Sequence, residues 1–281
     1  MNRVRIWLLL ALLSVILVYI GQHFYGGQGA ILFFLIALGM NFFTYFYSDR
    51  IAITMTRSRP LSRGEAPEIY EIVERLCVRA GLPMPRIYIT PSSQPNAFAT
   101  GRDPRHAAVA VTEGLLRLLN RTEIEGVLAH ELAHIKNRDT LVGTIAATLA
   151  GAVTMIAGMI RWGLILGTGR DDDEGGNPLA ALVLAIVAPL AALLVQMAIS
   201  RTGEFNADAT GARIAGRADG LANALQKLES AARRVPMHVN PAASHLFIVN
   251  PLSGESFMKL FSTHPPVAER VKRLRAMAEP L

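Results

Sequence analysis

The sequence predicts a mainly helical α+β protein, in which a globular part with one small sheet is joined to about four transmembrane helices. Half of the 281 residues (51%) are hydrophobic and the mean hydropathy is +0.32, which is too apolar for an ordinary soluble domain. The excess is concentrated in four long apolar runs, as is typical of membrane helices. Short β-branched runs and amphipathic periods fill the rest of the chain, which favours a small sheet packed against helices.

The first two apolar runs predict an N-terminal transmembrane hairpin. Residues 6–20 and 30–47 are joined by a short glycine-rich turn, and no small-residue cleavage site follows the first run, which argues against a signal peptide. Arginines flank both outer ends and are absent from the turn. The positive-inside rule therefore predicts that both ends of the hairpin, residues 1–48, face the cytoplasm.

Two further apolar runs, 141–160 and 178–199, contain no charged residue and are each long enough to cross a hydrocarbon core. The loop between them is acidic and glycine-rich, so the second hairpin, 141–199, is predicted to turn on the outer side. Helices buried in a protein core, or a pair lying partly in the bilayer, are the alternatives. The two hairpins divide the predicted globular part, which faces the cytoplasm, into residues 49–140 and 200–281.

Residues 122–139 contain the pattern H-E-L-A-H within a helical apolar period. In a helix, His130 and His134 lie on one face, where two neutral imidazoles can bind one zinc ion. Glu131 between them can act as general base toward the attacking water. The pattern therefore predicts the metal helix of a zinc peptidase. A surface helix with two unrelated histidines is the alternative.

Two carboxylates follow the fourth apolar run. Glu204 and Asp208 are four residues apart and share one face of a helix. A hydrolytic zinc site takes three protein ligands and keeps one position for water, so His130, His134 and Glu204 make a complete set. Asp208 can accept a hydrogen bond from a ligand imidazole and fix its tautomer. The alternative is a solvated helix start, where the helix dipole favours acidic residues.

Prolines near residue 265 open a basic C-terminal helix that is predicted to end at about Met277. His264 lies directly before this helix. It can donate a hydrogen bond to the oxyanion that forms when water adds to a peptide carbonyl. Arg270 can orient His264 or share that role.

Three short runs predict the strands of the small sheet, at 86–90, 96–101 and 106–111. A peptidase commonly holds its substrate as an added strand along an exposed sheet edge, and the middle run is our candidate for that edge. Asn96, Ala97 and Phe98 are therefore candidate substrate contacts. An ordinary solvent-facing strand is the alternative.

Helix termini are predicted from local signals. Gly81 is expected to cap an amphipathic helix over 64–81, and Thr112 to cap a short helix that follows the last strand. Thr122 and Glu125 are expected to form a capping box at the start of the metal helix.

The formal net charge of +6 is explained by arginines and lysines beside membrane segments. No basic stripe with interleaved aromatic residues is present, so nucleic acid is not an expected partner. Cys77 is the single cysteine, which excludes an intramolecular disulfide and leaves zinc to histidine and carboxylate ligands. Cys77 itself is expected to be a small buried apolar residue.

The motifs H-E-L-A-H at 130–134, E-x-x-x-D at 204–208, N-A-F-A-T-G at 96–101 and T-H-P-P at 263–266 occur together and in order. In this combination the chain resembles the HtpX family of membrane-integrated zinc metalloproteases, which is related to the CAAX prenyl proteases. The resemblance covers essentially the whole chain. One departure is Gly203, where relatives often place an arginine.

The resemblance implies a gluzincin-type, zincin-like fold with one Zn²⁺ per chain, bound by His130, His134 and Glu204, and Glu131 as the catalytic base. It implies a multi-pass protein of a bacterial inner membrane with a cytoplasmic active site. The expected substrates are damaged or misfolded proteins, above all membrane proteins, and the expected role is in the stress response. A partner-specific or CAAX-type processing protease and a non-catalytic zinc-binding membrane scaffold are the alternatives. A scaffold has no need of Glu131 or of an open coordination position.

Overall fold

The computed structural model describes residues 2–143, 145, 201–232, 234, 247–249 and 265–278. Within these residues the fold is mainly helical with one small mixed sheet. Most of the predicted second hairpin, 141–199, lies outside the described residues, and so does His264. The predicted division of the globular part therefore stays a prediction.

The first element, α1 (Asn2–Phe46), is a long apolar helix that is broken at Gly26. Gly26 has φ 63° and ψ −155°, a conformation that residues with a Cβ rarely adopt. Two segments of the described chain are long and apolar enough to cross a membrane, Ile6–His23 and Tyr25–Phe46. The structure thus has the first predicted pair of apolar helices, joined at a single residue rather than through a longer turn.

The two arms of α1 lie antiparallel and in contact. The Asn41 side-chain amide donates to Ser14 Oγ at 2.9 Å and to the Leu10 carbonyl at 3.3 Å. Near the break, a Cβ added to Gly21 would lie 2.4 Å from the Gly29 carbonyl oxygen. A Cβ added to Gly29 would lie 2.3 Å from the Gly21 carbonyl oxygen. Small residues therefore let the two backbones touch, as in membrane helix pairs.

The globular part consists of short helices and strands. In chain order they are α2 (Ser48–Met55), β1 (Arg59–Pro60), α3 (Pro67–Ala80), β2 (Arg86–Thr90), β3 (Ala97–Thr100), a 3₁₀ turn (Pro104–His106), β4 (Ala108–Thr112), α4 (Glu113–Leu118), α5 (Arg121–Asn137), α6 (Arg201–Ala215), α7 (Asp219–Ala232) and α8 (Val267–Ala278). The three strands predicted before the metal helix and the amphipathic helices around it are all present.

The sheet has the strand order β1-β2-β4-β3, so β3 is an outer strand. β2 and β4 are parallel, and the β1–β2 and β3–β4 pairs are antiparallel. Side chains alternate between the two faces. Val109 and Val111 join the main core with α3 and α5, whereas Phe98 and Ala110 pack with Ala52 of α2 on the other face. The sheet is therefore covered on both sides.

The capping residues of the metal helix differ from the prediction. Asn120 is the N-cap of α5, and its side chain and that of Glu123 form the capping box. The predicted box of Thr122 and Glu125 is wrong, because the chain turns into the helix two residues earlier. The other two caps are confirmed: Thr112 accepts from the Leu115 N–H, and Gly81 has φ 67° after α3.

Helices α6 and α7 pack against α5 through glycines. A Cβ added to Gly211 would lie 2.9 Å from His130 Cα, and one added to Gly126 would lie 2.4 Å from the Leu221 nitrogen. Backbone therefore approaches backbone at both crossings. The Gly211 crossing brings α6 against the H-E-L-A-H segment of α5.

The chain after α5 returns directly to the N-terminal hairpin. Thr140 Oγ1 donates to the Gly101 carbonyl at 3.0 Å, at the end of β3. Leu141, Val142 and Ile145 then pack with apolar residues of the first arm of α1 in one buried cluster. The metal helix is thus linked to the apolar hairpin by only a few residues.

Candidate metal centre

Helices α5 and α6 bring three metal-binding side chains together. His130 Nε2 lies 3.0 Å from His134 Nε2 and 3.8 Å from Glu204 Oε2, and His134 Nε2 lies 3.6 Å from Glu204 Oε1. Ligands bound to a tetrahedral zinc ion at about 2.0–2.1 Å are about 3.3 Å apart. The three predicted ligands therefore lie at the spacing that such an ion requires.

The three predicted ligands are buried, but one of them stays partly accessible to solvent. The side chains of His130 and Glu204 are 1% and 6% exposed, whereas that of His134 is 18% exposed. Glu131 is 2% exposed and accepts a hydrogen bond from the Ala99 N–H of β3. The predicted base is thereby held between the metal ligands and the outer strand of the sheet.

Asp208, which was predicted to support a ligand imidazole, lies behind His130. Its Oδ1 is 3.0 Å from His130 Nδ1, so the carboxylate can fix the tautomer that presents Nε2 to a metal. Arg270 in turn donates to both oxygens of Asp208, at 2.8 and 2.6 Å. This bidentate pair orients the carboxylate toward the imidazole.

Arg270 is fully buried, and it lies beside the metal ligands. Its Nη1 is 3.5 Å from Glu204 Oε2 and donates to the Ile248 carbonyl at 3.2 Å. The guanidinium therefore holds Glu204 and Asp208 in place. The predicted partnership with His264 falls outside the described residues.

Asp139 is a site residue that the sequence analysis missed. Its Oδ2 lies 3.1 Å from His134 Nδ1, the position that Asp208 takes at His130. Arg138 ends α5 with a positive φ of 58°, and the Asp139 N–H returns to the His134 carbonyl at 3.3 Å. An acidic residue just after the helix end was the available signal, but the turn that brings it back to His134 is not visible in the sequence.

Burial and neighbouring charges tune the pKa values of these side chains. Burial and then the nearby His134 lower the pKa of His130, which keeps this imidazole neutral and able to bind metal. Burial alone would lower the pKa of His134, but Asp139, Glu204 and Glu131 raise it to about 10. Metal binding at neutral pH must therefore displace a proton from His134.

The two carboxylates behave differently. Burial raises the pKa of Glu131 to about 7. Burial would also raise the pKa of Asp208, but the Arg270 guanidinium outweighs it and holds that pKa below its usual value. Asp208 is thus an ionised support at neutral pH, while Glu131 takes up and releases protons more readily.

The run predicted as the substrate edge lies at the outer side of the sheet, and its role in substrate binding stays a prediction. β3 is indeed an outer strand, but Asn96, Ala97 and Phe98 are each fully buried rather than exposed. They are covered by residues 247–249, which the sequence analysis could not place beside β3.

A helix with two histidines four residues apart, a third candidate ligand from a facing helix and a buried glutamate next to the first histidine define a metalloprotease site. Residues 64–278 match the sequence profile of Peptidase family M48. The chain belongs to this family.

Curated relatives match over nearly the whole chain. The Protease HtpX homolog of Pelotomaculum thermopropionicum is 68% identical over 280 residues, covering 99% of this chain and all of the relative. The Protease HtpX homolog of Pyrococcus furiosus is 54% identical over 276 residues, covering 98% of this chain and 96% of the relative. The resemblance to the HtpX family is confirmed, and the chain is a metalloprotease that acts on protein substrates.

Among solved structures, S. mikatae Ste24p matches with a TM-score of 0.51 and 21% identity. The match covers 93% of this chain and 61% of that chain. At this identity the likeness shows a shared fold alone.

Proposed function

We propose that the chain is a zinc endopeptidase of the inner (cytoplasmic) membrane that degrades damaged or misfolded membrane proteins at the cytoplasmic face. The observation that carries the proposal is the convergence of His130, His134 and Glu204 beside Glu131. Two imidazoles and one carboxylate are a hydrolytic zinc set, which leaves a position for water and substrate. The two apolar α1 segments support the membrane location.

The proposed reaction is peptide hydrolysis. His130, His134 and Glu204 would hold the zinc ion, which when bound would polarise the scissile carbonyl and make water a better nucleophile at neutral pH. Glu131 accepts a proton from the attacking water while the water oxygen bonds to the carbonyl carbon. The same proton passes to the leaving nitrogen as the C–N bond breaks. His264 and Arg270 are the proposed donors to the oxyanion.

The supporting residues act through position. Asp208 holds the His130 imidazole, and Arg270 holds Asp208 and Glu204. Because all three side chains are buried, removing one leaves an unpaired buried charge, which costs more than the contact it made. This explains why the site carries an ion pair behind the ligands.

The test is the substitution Glu131→Gln in the full-length protein, purified in detergent. We expect the variant to bind one zinc per chain and to cleave unfolded casein at least ~100-fold more slowly than the wild type, because only the base is lost. Glu113→Gln is the matched control, since the Glu113 side chain is 45% exposed and, within the described part of the chain, pairs with Arg117 on α4.

Cleavage by Glu131→Gln at the wild-type rate would contradict the assigned base. Zinc without cleavage in the wild type would favour a non-catalytic scaffold. Absence of bound metal from the wild type would overturn the site itself.

A further inference from the structure

Three residues from a distant part of the chain, Phe247, Ile248 and Val249, lie along the outer edge of β3. The Ile248 N–H donates to the Ala97 carbonyl at 3.1 Å, the bond that an added strand would make. The described residues 247–249 form a bend. We call these three residues the 247–249 segment.

Asn96 binds the segment through its side-chain amide. Its Nδ2 donates to the Val249 carbonyl at 2.8 Å, and its Oδ1 accepts from the Val249 N–H at 3.4 Å. One side chain thus satisfies both main-chain groups of one residue, as a paired strand would. Asn96 is fully buried, so these bonds are made away from water.

Arg270 connects the segment to the metal ligands. Its Nη1 donates to the Ile248 carbonyl at 3.2 Å and lies 3.5 Å from Glu204 Oε2. The Ile248 carbonyl is therefore separated from a predicted metal ligand by a single guanidinium. Glu131 accepts a hydrogen bond from the Ala99 N–H of β3, the strand whose Ala97 carbonyl binds the segment, so the segment and the proposed base contact the same strand.

The polar contacts just described all go to the main chain of the segment. Its side chains make apolar contacts: Phe247 meets Phe98 edge to face with ring centroids 5.2 Å apart, and the exposed fractions of Phe247, Ile248 and Val249 are 0%, 2% and 8%. An extended peptide offers main-chain N–H and C=O groups of the same kind whatever its sequence. Its side chains must nevertheless be apolar to fill the same space.

We propose that the 247–249 segment occupies the place of the peptide substrate, and that the substrate which displaces it is an extended apolar segment. This inference rests on the proposed function and names its regulation and substrate class. The Asn96 amide, the Ala97 carbonyl and the Arg270 guanidinium are buried, so each needs a hydrogen-bond partner. Only a peptide that restores those bonds and refills the apolar contacts replaces the segment efficiently.

The first test compares Phe247→Ala with Phe247→Leu in the zinc-loaded full-length protein. The alanine removes the contact with Phe98, so we expect kcat/KM for a fluorogenic peptide with a central Phe-Ile-Val to rise at least fivefold, mainly through a lower KM. Leucine keeps an apolar filling and is expected to stay within twofold of the wild type. An unchanged or lower kcat/KM for Phe247→Ala, at normal zinc content and melting temperature, would overturn the proposal.

A second measurement covers the case in which Phe247→Ala fails to fold. Hydrogen exchange of residues 247–249 is followed in Glu131→Gln, with the Phe-Ile-Val peptide and with a matched peptide carrying Ser-Gln-Ser. We expect exchange to accelerate when the apolar peptide binds, although a bound ligand usually slows exchange. We expect the polar peptide to bind at least tenfold more weakly. Unchanged or slower exchange with the apolar peptide bound, or equal binding of both peptides, would overturn the proposal.

Different results contradict the proposed function and this inference. Exchange and binding in Glu131→Gln need no catalysis, so a wild type that binds zinc and the apolar peptide but never cleaves contradicts the proposed function alone. A wild type that cleaves while the segment stays in place contradicts this inference alone.

Discussion

Each ligand imidazole is held from behind by a carboxylate. Asp208 lies 3.0 Å from His130 Nδ1 and Asp139 lies 3.1 Å from His134 Nδ1, so both rings present Nε2 to the same point. Asp208 is fixed by Arg270, whereas Asp139 is fixed by the turn after α5. The site therefore depends on a helix end as much as on a helix face.

Asp139→Ala is expected to weaken zinc binding about 10- to 100-fold, because His134 loses the acceptor that sets its tautomer. Asp139→Asn keeps an acceptor oxygen and should lose less. Zinc affinity is measured by competition with a chelator, independently of activity. Asp103→Ala is the matched control, since Asp103 pairs with His106 Nδ1 at 2.9 Å away from the metal ligands. Equal affinity of Asp139→Ala and the wild type would contradict this role.

At the scale of elements, the contact of α5 with α6 positions the third ligand. Gly211 of α6 meets the backbone of α5 at Ala129 and His130, and Glu204 lies two turns earlier on the same helix. The glycine permits the close approach, and the approach sets the distance between Glu204 and the two histidines. The close packing of this helix pair therefore also sets the geometry of the predicted metal site.

Gly211→Ala should separate the two helices, since its Cβ would lie 2.9 Å from His130 Cα and 3.2 Å from the Ala129 carbonyl carbon. We expect a loss of about 1–3 kcal/mol in the free energy of unfolding, as is usual for overpacking, together with weaker zinc binding. Gly64→Ala is the control, because a Cβ there meets nothing within 4 Å. Thermal unfolding and chelator competition check both effects. An unchanged melting temperature for Gly211→Ala would refute the packing argument.

Local sequence signals predicted most elements because they act over a few residues. The bounds of β2 agree with the β-branched run 86–90, and Gly81 and Thr112 cap the helices they were expected to cap. The start of α5 was misplaced because Asn120 and Thr122 each have a glutamate three residues later, and either pair can form a capping box. The capping-box pattern alone does not choose between the two pairs.

Contacts between distant residues could be predicted only in part. Ligand chemistry predicted that Glu204 joins His130 and His134, because a hydrolytic site needs a third ligand. The burial of Asn96 by residues more than a hundred positions later has no counterpart in residue spacing. The position of Asp139 depends on a positive φ at Arg138. The sequence gives no signal for this conformation, because positive φ is uncommon for residues other than glycine.

For the molecule as a whole, the proposed orientation can be tested with single cysteines in a Cys77→Ala background. Gln28 is exposed beside the break in α1, and Gly64 is exposed in the globular part. A membrane-impermeant maleimide should label Gln28→Cys in intact cells and Gly64→Cys only after the membrane is opened, because the positive-inside rule places the arginine-flanked ends in the cytoplasm. The reverse labelling pattern would contradict the proposed orientation.

The short link between α5 and the apolar hairpin limits where the enzyme can cut. Leu141, which packs against the first arm of α1, follows His134 by seven positions, and seven residue steps span at most about 25 Å. If α1 lies in the bilayer, the catalytic centre stays within about that distance of the membrane. The distance of a peptide bond from the membrane would then limit cleavage before the sequence around that bond does.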